Sequence, residues 1–184
     1  MTVIGIDPSM NSTGICICKD GIYKYVLLAT KPTKKMLKAV EGLKDLRIIQ
    51  VDKEPSAPGI EGAINQTINI SYILKHIEFF LDLYKPKYVT IEAPAFNASG
   101  RVADLAGLNH AIRLACLQRN IKFYPLSPTT VKAATVGNGQ ATKEMMIQTW
   151  LKLFPEYSLL ESMKVDDLAD AWALCDFPVE NYGE

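Results

Sequence analysis

The stretch Val3-Ile4-Gly5-Ile6-Asp7-Pro8-Ser9-Met10-Asn11-Ser12-Thr13-Gly14-Ile15-Cys16-Ile17 decides how the rest of the chain is interpreted. Two short apolar runs flank a turn rich in Pro, Ser and Asn, which predicts two strands of one hairpin. Asp7 then stands where the first strand ends, and a buried carboxylate needs a partner because an unpaired buried charge is costly. Asp7 either caps its own turn as an Asx-turn, or binds a cation or phosphates together with groups from elsewhere.

Length and composition predict one globular domain, residues 1–184. The chain is long enough to bury a core, and its apolar and charged fractions are ordinary for a globular protein. No apolar run reaches the length of a membrane span and the amino terminus lacks the form of a secretion signal, so we expect a cytoplasmic protein and no membrane partner. No two cysteines have C-x-x-C spacing, which favours reduced thiols over disulfides or zinc ligands.

The charges are balanced overall but unevenly distributed. Lys and Arg number 20, as do Asp and Glu, which argues against a uniformly basic nucleic-acid binder. Basic residues crowd the segments 31–47 and 111–143, and acidic residues dominate the chain after residue 156. Such a distribution can give a basic face beside an acidic pocket, and it is equally compatible with ordinary solvated surface.

Hydrophobic periodicity predicts alternating strands and helices. Asp20-Gly21 predicts a tight turn into a third strand over residues 22–29. Amphipathic helices are expected over residues 64–84 and 102–119, each followed by a short strand, which indicates α/β packing. Residues 30–62 have the least readable pattern. They predict a short helix near residues 36–46 and then a proline-rich loop, as in a mobile surface insertion or a partner-binding arm.

Three further acids stand in positions that suggest a shared site with Asp7. Glu92 ends a predicted strand, and α/β sheets place ligands at the carboxyl ends of their strands. Asp167 and Asp170 share one face of the last predicted helix, where like charges repel unless a cation lies over both. The alternative is an acidic first turn favoured by the helix dipole, which accounts for Asp170 less well than for Asp167.

A site made of carboxylate oxygens suits Mg²⁺ or Mn²⁺ rather than zinc. Two such ions about 4 Å apart can activate a water molecule and stabilise the leaving 3′ oxygen of a phosphodiester.

Basic residues are expected beside this site. Ser127-Pro128 predicts a helix start that leads to Lys132, and Thr142 predicts the cap of another helix with Lys143 in its first turn. A cation in a first turn opposes the helix dipole, so Lys143 either meets a phosphate there or simply reaches solvent. Arg101, at the start of the helix over residues 102–119, should lie close to the loop after Glu92.

These motifs, taken in chain order, resemble the RuvC family of Holliday junction resolvases within the RNase H-like nuclease superfamily. The resemblance rests on Gly5-Ile6-Asp7-Pro8 with Thr13-Gly14, Ile91-Glu92, Pro128 to Lys132, Gly137 to Lys143, and Asp167-Leu168-Ala169-Asp170-Ala171. It implies an RNase H-like mixed sheet, three antiparallel strands followed by parallel ones, flanked by helices. It also implies a homodimer that binds a four-way DNA junction and nicks two strands with Mg²⁺ or Mn²⁺.

Site roles follow from the same resemblance. Asp7, Glu92, Asp167 and Asp170 would be catalytic and metal-binding. Lys132 and Lys143 would contact the DNA at the scissile region, with Lys143 also catalytic, and Arg101 is a further candidate DNA-binding residue. Phe96 is the candidate for the aromatic residue that stacks on bases near the junction centre. The segment over residues 30–62 is longer than in typical bacterial members, so other branched substrates such as flaps stay open.

Two other functions compete with nuclease activity. A non-catalytic module on the same fold would bind branched nucleic acid without cutting it. An actin-like or sugar-kinase-like ATPase would also place an Asp hairpin after its first strand. Asp7-Pro8-Ser9 lacks the glycine expected two residues after that Asp, and no second phosphate-binding hairpin is visible in the sequence.

Overall fold

The computed structural model describes residues 1–94, 102–163 and 165–179. Within these ranges the chain forms one six-stranded mixed sheet in the order β4-β3-β2-β1-β5-β6. The strands are β1 Thr2–Asp7, β2 Ser12–Lys19, β3 Ile22–Ala29, β4 Leu46–Gln50, β5 Tyr88–Glu92 and β6 Lys122–Leu126. β1, β2 and β3 are antiparallel, whereas β4 runs parallel to β3, β5 to β1, and β6 to β5. The predicted α/β architecture is confirmed.

Helices cover both faces of this sheet. They are α1 Lys34–Val40, α2 Gly59–Tyr84, α3 Val102–Gln118, α4 Pro128–Val136, α5 Lys143–Leu153, a 3₁₀ helix Pro155–Met163, and α6 Asp166–Cys175. α2 and α3 enclose one core with side chains such as Ile4 and Ile6, and α4 to α6 enclose the other with Val3 and Cys16. Both faces are buried, which explains why the strands are nearly continuous apolar runs. In the described part of the chain, no helix has the length and hydropathy of a membrane span.

The segment over residues 30–62 differs from its prediction. The helix is shorter than expected, ending at Val40, and Leu46 begins an additional strand instead of closing a helix. Among the described strands, β4 pairs only with β3, so it is an edge strand of the sheet. The next helix, α2, begins at Gly59, ahead of the predicted start, and Gly62 allows its first turn to lie against Ala57. A Cβ at Gly62 would be 2.0 Å from the Ala57 carbonyl oxygen.

One end of the sheet collects the residues of interest, and we call it the Asp7 end. The registers Asp7 with Gly14, Ser12 with Ala29, and Ala29 with Gln50 place there the carboxyl ends of β1, β3 and β4 and the start of β2. The carboxyl ends of β5 and β6 lie at the same end, because both strands run parallel to β1.

Candidate active site

Asp7 and Glu92 are the last residues of two neighbouring parallel strands. The register pairs Ile6 with Ile91, so the two acids follow one another across a strand spacing of about 4.8 Å. Side chains alternate along a strand, and Ile6 faces the core under α2 and α3. The carboxylate of Asp7 therefore faces the side of the sheet covered by α6.

α6 lies directly on the sheet because two glycines remove the side chains that would separate them. A Cβ at Gly14 would lie 1.9 Å from the carbonyl oxygen of Asp167, and one at Gly5 would lie 2.3 Å from that of Ala171. At the other end of α6, the buried Thr90 hydroxyl donates a hydrogen bond to the Leu174 carbonyl oxygen at 2.7 Å. This packing brings the first turns of α6 to the Asp7 end of the sheet.

The predicted acids and lysines line one cavity of about 250 Å³. Its lining residues are Asp7, Ser9, Glu92, Pro128, Val131, Lys132, Lys143, Met146, Asp167 and Asp170. The structure thus brings together side chains from β1, β5, α4, α5 and α6, which are far apart in sequence. Phe96 and Arg101, the other two predicted site residues, lie outside the described residues.

Burial and the nearby acids both raise the pKa values of the two strand-end carboxylates. Burial, followed by the negative charges of Glu92, Asp167 and Asp170, raises the pKa of Asp7 well above its usual value. Burial and then the charge of Asp170 raise the pKa of Glu92 to about 7, and the positive charge of Lys132 opposes that rise. The cluster therefore lacks the positive charge needed to keep all its members ionised at neutral pH.

The two acids of α6 show the same effect. Burial raises the pKa of Asp167 to about 6, although the hydroxyl of Ser12 donates a hydrogen bond to its Oδ2 at 2.5 Å and opposes the rise. Burial also raises the pKa of Asp170 to about 6, against the positive charge of Lys143. Both acids line the cavity, as expected if they share one helix face.

Lys143 has an acidic partner that the sequence pattern did not predict. Its ammonium group forms an ion pair with Asp166, and that contact raises the pKa of Lys143. Thr142 caps α5 as predicted, its hydroxyl accepting a hydrogen bond from the Met145 amide at 3.3 Å. The Lys143 side chain is two-thirds exposed, so it stands at the opening of the cavity rather than within it.

Two polar side chains, those of Thr13 and Asn109, fix the backbone around the acids, and neither role was predicted from sequence. The buried Thr13 hydroxyl donates to the Ser9 carbonyl oxygen at 2.7 Å and accepts from the Ser9 amide at 3.1 Å, which closes the turn after Asp7. The Asn109 side chain donates to the backbone carbonyl oxygen of Glu92 at 2.6 Å. Asn109 is buried on an otherwise apolar helix face. A polar residue at such a position of a predicted helix is the sequence feature that could have identified it.

The carboxylates do not form a closed metal cage by themselves. Within the described ranges, no three acidic, histidine or cysteine side chains are grouped so as to hold one metal ion. An oxygen-only donor set with an open approach fits Mg²⁺ or Mn²⁺. Mg²⁺ keeps several water molecules and is bound through one or two carboxylates together with substrate phosphates. Asp7, Glu92, Asp167 and Asp170 are the side chains that could supply those carboxylates.

Two solved structures share this fold. The structure of Thermus thermophilus RuvC superposes with a TM-score of 0.59 at 22% identity, covering 95% of this chain and 91% of that chain. T. thermophilus RuvC in complex with Holliday junction substrate superposes with a TM-score of 0.61 at 23% identity, covering 95% and 90%. Both likenesses bear out the RNase H-like sheet that the motifs imply.

Sequence comparison identifies the family. The family model described as Crossover junction endodeoxyribonuclease RuvC matches residues 60–175. The crossover junction endodeoxyribonuclease RuvC of Dictyoglomus turgidum is 31% identical over 184 residues, which cover 95% of this chain and 94% of that protein. The protein of the same name from Caldanaerobacter subterraneus subsp. tengcongensis is 27% identical and covers 95% and 89%. The chain therefore belongs to the RuvC family of crossover junction endodeoxyribonucleases.

Proposed function

We propose that this protein is an endonuclease that cuts four-way DNA junctions by metal-dependent phosphodiester hydrolysis. The observation that carries the proposal is the cavity in which four carboxylates and two lysines converge from five distant elements. Membership of the RuvC family supports the same activity, since the relatives are named crossover junction endodeoxyribonucleases. A structural relative at 23% identity is described in complex with a Holliday junction substrate, which supports the choice of DNA.

Mg²⁺ or Mn²⁺ is the metal that these residues fit. The four carboxylates have raised pKa values, mainly because they are buried and partly because negative charges lie near them. A divalent cation would stabilise such a site, because it supplies the missing positive charge. A bound pair of such ions would supply an activated water molecule and charge stabilisation for the leaving 3′ oxygen. Asp7, Glu92, Asp167 and Asp170 are the proposed ligands.

The protein's other residues position the acids and the DNA. Thr13 holds the turn after Asp7, Asn109 holds the backbone at Glu92, and Ser12 orients Asp167. Lys132 and Lys143 line the cavity and would bind the phosphates on either side of the scissile bond. The exposed ammonium group of Lys143 can exchange its Asp166 partner for a phosphate, and that exchange leaves the Asp166 carboxylate, whose side chain is only 18% exposed, without its ion pair.

The proposed protein is a homodimer, because each cavity can act on one strand and two strands of a four-way junction are nicked. A suitable surface exists on the neighbouring helices α2 and α3. Four of their large apolar side chains are exposed by 58% or 59%, namely Phe79, Leu83, Leu114 and Leu117. Contiguous exposed apolar surface is typical of protein–protein contacts.

The other two functions have less support. A non-catalytic binding module would not need all four acids, whose mutual repulsion and burial are costly without a cation. Family membership argues against the actin-like or sugar-kinase-like ATPase.

Cutting of a synthetic four-way junction tests the proposal. Purified protein is incubated with the junction and Mg²⁺ or Mn²⁺, and nicked strands are resolved on a denaturing gel. Asp7→Asn should bind the junction and leave it uncut, because the amide keeps the shape of the carboxylate and loses its charge. Asp45→Asn, at an exposed acid outside the cavity, should cut at the wild-type rate. Wild-type cutting by Asp7→Asn would remove Asp7 from the proposed site.

A further inference from the structure

The segment that joins β3 to β4 carries concentrated positive charge that the cavity does not use. Residues 31–47 contain six basic and two acidic residues, in a chain whose charges balance overall. The six basic residues are Lys31, Lys34, Lys35, Lys38, Lys44 and Arg47. All six are exposed, and none of them forms an ion pair with another described residue. The segment therefore presents to solvent a positive charge that its two acids, Glu41 and Asp45, only partly offset.

Helix α1 has a partly buried apolar face and an exposed basic face. Met36, Ala39 and Val40 pack against the core beneath α4 to α6. Lys34 and Lys38 are one turn apart on the exposed side, where like charges repel. Lys34 also lies in the first turn, where a cation opposes the helix dipole. This arrangement disfavours the isolated helix and becomes favourable when polyanionic surface lies along it.

The segment is attached to the turn that follows Asp7. The Thr30 amide donates a hydrogen bond to the Asn11 carbonyl oxygen at 3.0 Å, and the Lys53 ammonium contacts the Asn11 side chain. The last residue of β3, Ala29, pairs with Ser12, whose hydroxyl binds the Asp167 carboxylate. The basic segment thus starts at the Asp7 end of the sheet, beside the cavity, and α1 leads away from it.

We infer that the basic face of α1, formed by Lys34, Lys35 and Lys38, and the preceding Lys31 bind the phosphate backbone of one duplex arm of the DNA whose strand lies in the cavity. This inference rests on the proposed function and adds a second DNA contact to it. α1 is about 10 Å long at 1.5 Å per residue. Duplex DNA carries one charge per about 1.7 Å of its axis, so one arm presents enough phosphates for all four lysines. Contacts to phosphates add affinity without sequence preference.

Two triple variants with equal charge change test this surface. Lys34→Gln, Lys35→Gln and Lys38→Gln together remove three charges from α1, and glutamine keeps a high helix propensity. The matched control removes three exposed lysines at the end of the sheet opposite Asp7. These control substitutions are Lys19→Gln, Lys87→Gln and Lys122→Gln. A third protein with arginine at residues 34, 35 and 38 keeps the charge and controls for folding.

The measurement is the affinity for a labelled four-way junction as a function of salt, by fluorescence anisotropy without divalent cations. Each phosphate contact adds about 0.9 to the slope of log affinity against log salt. Between about 50 and 200 mM salt, the wild type should therefore lose roughly 40-fold more affinity than the α1 glutamine variant. The control triple and the arginine variant should follow the wild type.

Equal salt slopes for the α1 glutamine variant and the control triple would overturn the inference. Loss of affinity in the arginine variant as well would also overturn it, because charge would then not be the cause. The assay needs no cutting, so its outcome is separate from that of the proposed function. If the salt slopes differ as expected but the protein never cuts the junction, the DNA contact at α1 stands and the proposed nuclease activity does not.

Discussion

Adding one methyl group at Gly14 tests whether the contact between α6 and the sheet positions the acids. The new Cβ of Gly14→Ala would lie 1.9 Å from the Asp167 carbonyl oxygen and 3.2 Å from the Ala171 Cβ. An ordinary contact is about 3.5 Å, so α6 must move outward by about 1.6 Å, since a backbone oxygen cannot rotate away. That movement would carry Asp167 and Asp170 away from Asp7.

The expected effect is large on cutting and moderate on stability. A displacement of about 1 Å at a catalytic group can reduce the rate about 100-fold, so we expect at least that loss in single-turnover cutting of a four-way junction. Overpacking of this kind costs about 1–3 kcal/mol, which urea unfolding would measure.

Gly107→Ala provides the matched control for this substitution. Its Cβ would meet only the flexible end of the Ile70 side chain at 3.3 Å, so cutting should stay at the wild-type rate. If a folded Gly14→Ala protein cuts as fast as Gly107→Ala, close packing of α6 on the sheet does not set the geometry of the site.

Three further predictions concern the residues around the cavity. Lys143→Ala should slow cutting about 100-fold and weaken junction binding much less, because one electrostatic contact at the reacting group is lost. Equal losses of cutting rate and of junction affinity would show that Lys143 acts in binding alone. Without metal, the free energy of unfolding should fall as pH rises from about 4 to 7, because the raised pKa values of Glu92, Asp167 and Asp170 favour the protonated folded state. Urea unfolding across this pH range would measure the fall, and Glu92→Gln should reduce it. Asn109→Ala should destabilise the protein by about 1–3 kcal/mol, because it leaves the Glu92 carbonyl without its donor; unchanged unfolding would mean that water replaces the amide.

The acids of the site could be predicted from sequence because each one lies at a local landmark. Asp7 and Glu92 end apolar strands, and Asp167 and Asp170 have the spacing of one helix face. These landmarks depend only on neighbouring residues, so they can be identified without knowledge of the tertiary structure. That all four acids line one cavity is a tertiary fact, which the motif order suggested and the packing of α6 on Gly5 and Gly14 explains.

Features that depend on distant contacts were not predictable in the same way. β4 contains Arg47-Ile48-Ile49 without clear alternation, and its pairing with β3 makes it a strand. The partners of Lys143 and of the Glu92 carbonyl come from residues 23 and 17 positions away, so no local pattern could identify them. The predictions for Phe96 and Arg101 fall outside the described residues and stay predictions.

Mn²⁺ binding by the free protein tests whether the four clustered acids bind a divalent cation. Titration calorimetry would compare the wild type with Asp7→Asn and with the exposed control Asp45→Asn. We expect Mn²⁺ binding with release of protons near pH 6 in the wild type and the control, and at least tenfold weaker binding in Asp7→Asn. Equal Mn²⁺ affinity and equal proton release in all three proteins would contradict it.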